Sequence, residues 1–211
     1  MFGGAKPLLM QNTTIKTVLQ NFVVFPILAT NFLFSPFGAA GSFQLALLTP
    51  DLNQATVSAE TVNLQKLQQE QAKKIDAYFA KYDMPLEGYG MEFVKAAYEN
   101  NIDPFLVPAI AVRESTGGIH ACQSDKFNAY GWASCHRKVP FTSYNDAILT
   151  IALNLGGNNP KTEHYYKGKT TFQILQTFNP PHVVERYAHQ VIDIMDTMAT
   201  MEVSSEVATN S

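Results

Sequence analysis

The stretch Asn101-Ile-Asp-Pro-Phe-Leu-Val-Pro-Ala-Ile-Ala-Val-Arg-Glu-Ser-Thr-Gly-Gly118 decides how this chain folds. Asp103 can cap a helix, and Pro104 falls in the first turn, where a missing N–H is tolerated. Pro108 removes a further backbone donor five residues on, so the regular helix is expected to begin near Val107. Ala109, Ile110, Ala111 and Val112 continue an almost unbroken apolar run, and Gly117-Gly118 stops it. The run closes on a carboxylate, Glu114. Apolar surroundings and the negative end of the helix dipole both push such a carboxyl towards its protonated form. A surface position, with a salt bridge to Arg113 or a solvated last turn, is the competing reading of the same residue.

Working outward, the pattern stays helical. Towards the N-terminus, Met91 to Asn100 reads as a helix with Phe93, Val94, Ala97 and Tyr98 on its core side, after a loop from Met84 to Gly90. Before that loop, Ser58 to Ala80 reads as a polar helix with Leu64, Leu67, Gln71, Ile75, Tyr78 and Phe79 on one stripe. Its early part is weakly apolar and is expected to pack only at its C-terminal end. Towards the C-terminus, residues 119–141 are irregular. Ser143 and Asp146 have capping-box spacing and open the clearest helix, with Tyr144, Ala147, Ile148, Ile151, Ala152 and Leu155 at helical intervals. Gly156-Gly157 ends it. A polar loop carrying Glu163, His164, Tyr165 and Tyr166 follows, then a short helix Thr171–Thr177. After Asn179-Pro180-Pro181, a last helix turns Val184, Tyr187, Ala188, Val191, Ile194, Met195 and Met198 inward. No internal repeat and no β-run is present, so the fold class is mainly α.

Composition divides the chain. It has 211 residues, 46% hydrophobic, 16% charged and 11% aromatic, with a net charge of −3. That length suits one domain with surplus chain, and the apolar content excludes a disordered polymer. A pI near 5.9 argues against a partner held through phosphates, so no nucleic acid is expected. Residues 1–50 hold two of the fifteen basic residues, Lys6 and Lys16, and none of the eighteen acidic ones. Their apolar centre, Val18 to Phe34, is followed by Ser35, Pro36, Gly38, Ala39, Ala40, Gly41 and Ser42. That order of basic end, apolar stretch and small residues is the layout of a secretory signal. An uncleaved membrane anchor fits the same residues, with the lysines on the cytoplasmic side. The expected organisation is a signal or anchor over residues 1–49, a linker over 50–60, a helical domain over 61–201 and a flexible tail over 202–211. The domain is expected to be exported to the cell envelope or beyond, with tethering to the membrane by its N-terminal segment as the alternative to cleavage.

The Asn101–Gly118 segment resembles the catalytic-helix segment of the lysozyme-like superfamily. It is most similar to bacterial soluble lytic transglycosylases and to glucosaminidase-type (mannosyl-glycoprotein endo-beta-N-acetylglucosaminidase-like) peptidoglycan hydrolases. The likeness continues at Asn128-Ala-Tyr-Gly-Trp132, at Phe141-Thr-Ser-Tyr-Asn-Asp-Ala-Ile148, at Tyr165-Tyr166 and at Phe178-Asn-Pro180, in order over residues 70–200. The "Gly-Leu-Met-Gln" sequence of many transglycosylases is replaced by Gly131-Trp-Ala-Ser134, which leans towards the glucosaminidase side. The resemblance implies a lysozyme-like helical domain with irregular cleft loops that acts on peptidoglycan glycan strands. Glu114 would be the general acid, a role that requires a carboxyl kept protonated. Ser115 would orient it, and Asn128, Tyr130, Gly131 and Trp132 would form a cleft wall. Tyr130 and Trp132 offer rings for sugar faces, and Tyr166 is the tyrosine expected to face substrate. No second carboxylate stands out among Asp125, Asp146, Glu163 and Glu185, so an ordinary two-carboxylate hydrolase and a single-acid transglycosylase both stand. A silent saccharide-binding or structural envelope module on the same fold is the alternative outside the enzymes.

Cys122 and Cys135 are the only cysteines and bracket the turn expected to wall the cleft. In an exported domain they can pair as a disulfide. The rival is a zinc set of His120, Cys122, Cys135 and His136, whose spacing is not that of a finger. No cofactor and no metal are expected.

Overall fold

The computed structural model describes residues 52–134 and 138–203, with side chains from Glu60 onward. The export or anchor reading of residues 1–49 and most of the tail reading lie outside the described residues. The described residues fold into seven helices with no strand: α1 Leu52–Lys81, α2 Gly90–Glu99, α3 Leu106–Ser115, α4 Tyr144–Leu155, α5 Glu163–Tyr166, α6 Thr171–Phe178 and α7 Tyr187–Ala199. None of these helices is long and apolar enough to cross a membrane.

The central element is α3. Six consecutive residues, Leu106 to Ala111, are buried, which leaves the helix no solvated face over its first turns. A helix apolar all round must be enclosed, and α7 packs along it with α2 and α4 at its sides. Pro108 falls at the third position of α3, where its nitrogen would have no intrahelical acceptor, so it removes no bond. Asp103 caps the turn before the helix, its Oδ1 accepting from Phe105 N–H at 2.8 Å. The C-terminus is tightened by Thr116 in the left-handed region and by Gly117 N–H donating back to the Ala111 carbonyl. The side chain of Glu114 is therefore delivered at a fixed end of a buried rod.

Around α3 the core is built from Phe79, Phe93, Ile110, Ile148, Ile151, Leu155 and Leu175, all fully buried. In α1, Leu64 and Leu67 are exposed and burial begins at Ala72, so the helix packs only through its C-terminal part. It starts at Leu52 rather than Ser58. Residues expected as a linker form its first turns, since no Gly or Pro interrupts Leu52–Lys81. The α1–α2 corner is fixed by Asp76, whose Oδ1 accepts from Gly88 N–H and Gly90 N–H at 2.9 and 2.8 Å. A Cβ at Gly90 would collide with the Ala72 carbonyl oxygen and lie 2.7 Å from Asp76 Oδ2. Gly90→Ala is expected to destabilise the domain by about 1–3 kcal/mol, read as a lowered denaturation midpoint. An unchanged midpoint would show that the corner is not tightly set.

The start of α4 follows the expected spacing, with Ser143 Oγ accepting from Asp146 N–H at 3.0 Å. The return half of the box differs: Asp146 Oδ2 accepts from Thr142 N–H and Oγ1–H instead of Ser143 N–H. A complete capping box occurs at α6, where Thr170 and Gln173 satisfy each other's backbone N–H groups. Behind α4, Asn154 Oδ1 accepts from Asn159 Nδ2 and from Thr162 Oγ1 at 3.0 and 2.6 Å. This buried amide holds the loop that leads into α5.

Candidate active site

Glu114 stands at the edge of an open cleft of about 440 Å³, together with Tyr130, Gly131, Trp132, Ala133, Phe178 and Asn179. The volume falls within the range of small-molecule sites. The two carboxylate oxygens of Glu114 have different surroundings. Oε1 accepts a 2.6 Å hydrogen bond from the Tyr187 hydroxyl, reaching from α7. Oε2 faces Gly131, where even an added Cβ would remain 3.6 Å away. Gly131 has φ +59°, a conformation glycine adopts without the penalty a side chain would bring. The backbone beside Oε2 is thus bare, and Glu114 is one of the residues that line the cleft.

Tyr187 is itself held on three sides. Its ring stacks on Phe178 at 6.0 Å with 15° between planes. The Arg113 guanidinium lies 5.6 Å from the ring centroid, and Arg113 Nε donates to Gln190 Oε1 at 2.8 Å. Trp132 continues the row, 5.9 Å from Phe178 at 30°. The result is an aromatic file, Trp132–Phe178–Tyr187, that begins in the cleft wall and ends on the carboxyl. Burial first, then the hydrogen bond to Glu114 and its charge, push the Tyr187 phenol far above its ordinary range. It stays a proton donor at every pH at which the domain would operate.

The expected site residues separate into two groups. Glu114, Tyr130, Gly131 and Trp132 are brought together in the cleft. Asn128 is buried beneath it and acts on the turn: Trp132 N–H donates to Asn128 Oδ1 at 3.0 Å, and Asn128 Nδ2 donates back to the Trp132 carbonyl at 3.0 Å. It therefore shapes the wall and does not line it. Ser115 is not the partner of Glu114. Its hydroxyl is buried, donates to the Ala129 carbonyl at 2.8 Å and accepts from Gly118 N–H at 2.9 Å. Successive residues of an α-helix point about 100° apart, so the neighbour of a cleft carboxyl faces inward. Ser115 instead fastens the end of α3 to the residue preceding Tyr130. Tyr166 is also displaced from its expected place. It is only 6% exposed, whereas Tyr165 is 53% exposed, and it is absent from the cleft lining. Burial, with Tyr165 as a lesser contributor, pushes its phenol up to about 12.

Tyr187 was expected only as core, and its hydroxyl is the part that reaches the site. The sequence signal was its choice over Phe, since a buried phenol needs a partner. Asn179 is likewise a cleft residue without a forecast. The carboxylates considered as second groups are occupied elsewhere. Asp125 is buried and accepts from Phe141 N–H at 3.0 Å. The Asp146 carboxylate accepts from Thr142 N–H just before α4, and Glu163 pairs with Lys167 at 3.3 Å. Glu185 borders a different hollow. Among the described residues lining the cleft, Glu114 is the single acid.

Cys122 is disulfide-bonded, and the chain's one other cysteine, Cys135, lies outside the described residues, as does His136. A cysteine so engaged has no thiolate to give zinc. A Cys122–Cys135 link encloses twelve residues and is worth about 3 kcal/mol in the chain-entropy model. Reductant is expected to lower the melting temperature by about 6–12 °C for a domain of this size. An unchanged melt would contradict that closure.

No family model, curated protein or solved structure matches this chain.

Proposed function

We propose that this chain is a lysozyme-like glycosidase of the cell envelope that cleaves β-1,4 bonds in the N-acetylglucosamine/N-acetylmuramic acid backbone of peptidoglycan. The observation that carries the reading is the asymmetric setting of Glu114 in an aromatic-walled cleft: one oxygen is bound by Tyr187, and the other lies beside the bare backbone of Gly131. With Oε1 accepting from the phenol, the acidic proton belongs on Oε2, where it meets the glycosidic oxygen. Proton transfer releases the leaving sugar as a neutral alcohol, and the remaining ring takes on oxocarbenium character. Trp132, at the cleft end of the aromatic file, offers an apolar surface to the C–H faces of the sugars, with Phe178 behind it. The nucleophile then gives its proton to the Glu114 carboxylate, which restores the acid.

The identity of that nucleophile separates two readings. In hydrolysis it is water, with the substrate's own acetamido group assisting when no second carboxylate is at hand. In a lytic transglycosylase it is the C6 hydroxyl of the muramic acid residue, which leaves an anhydro end. The single acid among the described cleft residues favours an attacking group supplied by the substrate. The full chain is expected to release soluble muropeptides from purified peptidoglycan. Mass spectrometry of those products reads the ends: reducing ends assign hydrolysis, and ends lighter by one water assign the transglycosylase. Binding of glycan without release under any condition would overturn the enzyme reading and leave a saccharide-binding module. The export or anchoring of the domain through residues 1–49 remains part of this proposal, and N-terminal sequencing of the exported form tests it.

A further inference from the structure

Arg113 immediately precedes the acid of the cleft, where its charge works against the chemistry. A cation close to a carboxylate favours the ionised form, whereas a general acid must carry its proton. A guanidinium does not escape that conflict by giving up its own charge. Its position is what remains to be set. The sequence allowed a salt bridge between Arg113 and Glu114, yet among the described residues no ion pair joins them. Arg113 Nε donates instead to Gln190 Oε1 at 2.8 Å, and the guanidinium carbon lies 5.6 Å from the centre of the Tyr187 ring.

Both partners belong to α7. Tyr187 and Gln190 stand three residues apart, on one face of the helix that packs along α3. The Gln190 amide is a neutral acceptor, so it holds the arginine without adding charge beside the acid. Tyr187 meanwhile binds the carboxyl through its hydroxyl, at 2.6 Å from Glu114 Oε1. Cation and carboxyl are thus gathered on one tyrosine, the first against its ring and the second on its oxygen. A flexible arginine side chain passes from one to the other by turning about its own single bonds. The bond to Gln190, together with the ring contact, opposes that turn.

We propose that Gln190 is a positioning residue that holds Arg113 on α7 and so keeps its charge off Glu114. The acid then retains its proton for the leaving group. This assignment rests on the reading of Glu114 as a general acid and adds the residue that protects it. The titratable or charged side chains that adjoin Glu114 or share its cleft are Arg113, Tyr187 of α7 and Tyr130 of the cleft wall. Burial pushes both phenols well above their ordinary range, so they stay neutral. Elsewhere on α7 and just before it, His189 packs on Phe172 and Glu185 borders a separate hollow. Phe178 and Asn179, at the end of α6, carry no charge, and α2 and α4 place no described residue in the cleft lining.

The test removes the acceptor. In the full chain carrying Gln190→Leu, Arg113 is released and moves to the carboxylate. Carbon-13 NMR of protein labelled at the glutamate carboxyls follows the titration of Glu114, assigned by the loss of its signal in Glu114→Gln. The midpoint is expected to fall by about 1–2 pH units in Gln190→Leu relative to wild type. The alkaline limb of kcat for muropeptide release should move down in pH with it, so that activity is lost at neutral pH and kept at acidic pH. Adding Arg113→Met, which keeps a long stem for the Tyr187 ring and removes the charge, is expected to abolish the fall. Thermal melts check the variants, and Gln190→Ala serves equally if Gln190→Leu does not fold. A midpoint that stays in place, or that falls even without Arg113, would overturn the proposal and leave the glycan reading standing. A fall that Arg113→Met abolishes, in a protein that releases no muropeptide, would overturn the glycan reading and leave the role of Gln190 in place.

Discussion

Glu114→Gln is expected to cut muropeptide release by about 10²–10⁴-fold, the usual scale of a lost general acid. The substitution keeps the shape of the side chain and an oxygen that can accept from Tyr187, and it removes the transferable proton. The group sits half-buried at a helix end and packs into no core cluster, so the melting temperature should stay within a few degrees. Affinity for glycan should also hold, because the aromatic wall is untouched. This combination separates loss of chemistry from loss of fold. A variant that retained wild-type release would remove Glu114 from the mechanism.

Tyr187→Phe carries the second large effect. In the proposed mechanism Tyr187 is a positioning residue: its hydroxyl bonds Oε1 of Glu114 and does not border the cleft. The phenyl ring can still stack on Phe178 and face Arg113, so α7 should remain packed against α3. What disappears is the bond that fixes which oxygen presents the proton. Small misplacements of a reacting group can cost up to about 10²-fold, and a fall in kcat of about 10- to 100-fold is expected. KM should change little. The pH dependence is informative here. The phenol is held protonated far above its ordinary range, so it adds no alkaline limb to the rate profile in the wild type. Its removal should therefore lower the profile without deleting a limb from it. A variant with unchanged kcat, or one in which only KM rises, would assign Tyr187 a purely structural part.

The legible parts of the sequence were those set by local chemistry. The buried run of α3, the Ser143 cap and the periodicity of α4 each follow from residues within a few positions of one another. The short helix α5 did not: four residues are too few to sustain a helix by propensity, and burial of Tyr166 against the core holds it. The site shows the same division. Glu114 could be singled out because an acid closing an apolar helix is unusual in itself. Its partner could not, because Tyr187 is 73 residues away and periodicity tells which face is buried, not what a hydroxyl touches. Ser115 departs from expectation for a related reason: adjacency in sequence is not adjacency in space on a helix. Tyr166 and its neighbour illustrate the limit most simply, since a tyrosine pair in a polar loop gives no sign of which ring turns inward.

The central claim is that Glu114 is the acid of a glycan-cleaving site. Its most direct test is a time course of soluble muropeptide release from purified peptidoglycan, run with the full chain and with Glu114→Gln at equal concentration. Steady release by the wild type and none above background by the variant is the predicted result. Equal release by both proteins, or none by a wild type that binds the glycan, would contradict it.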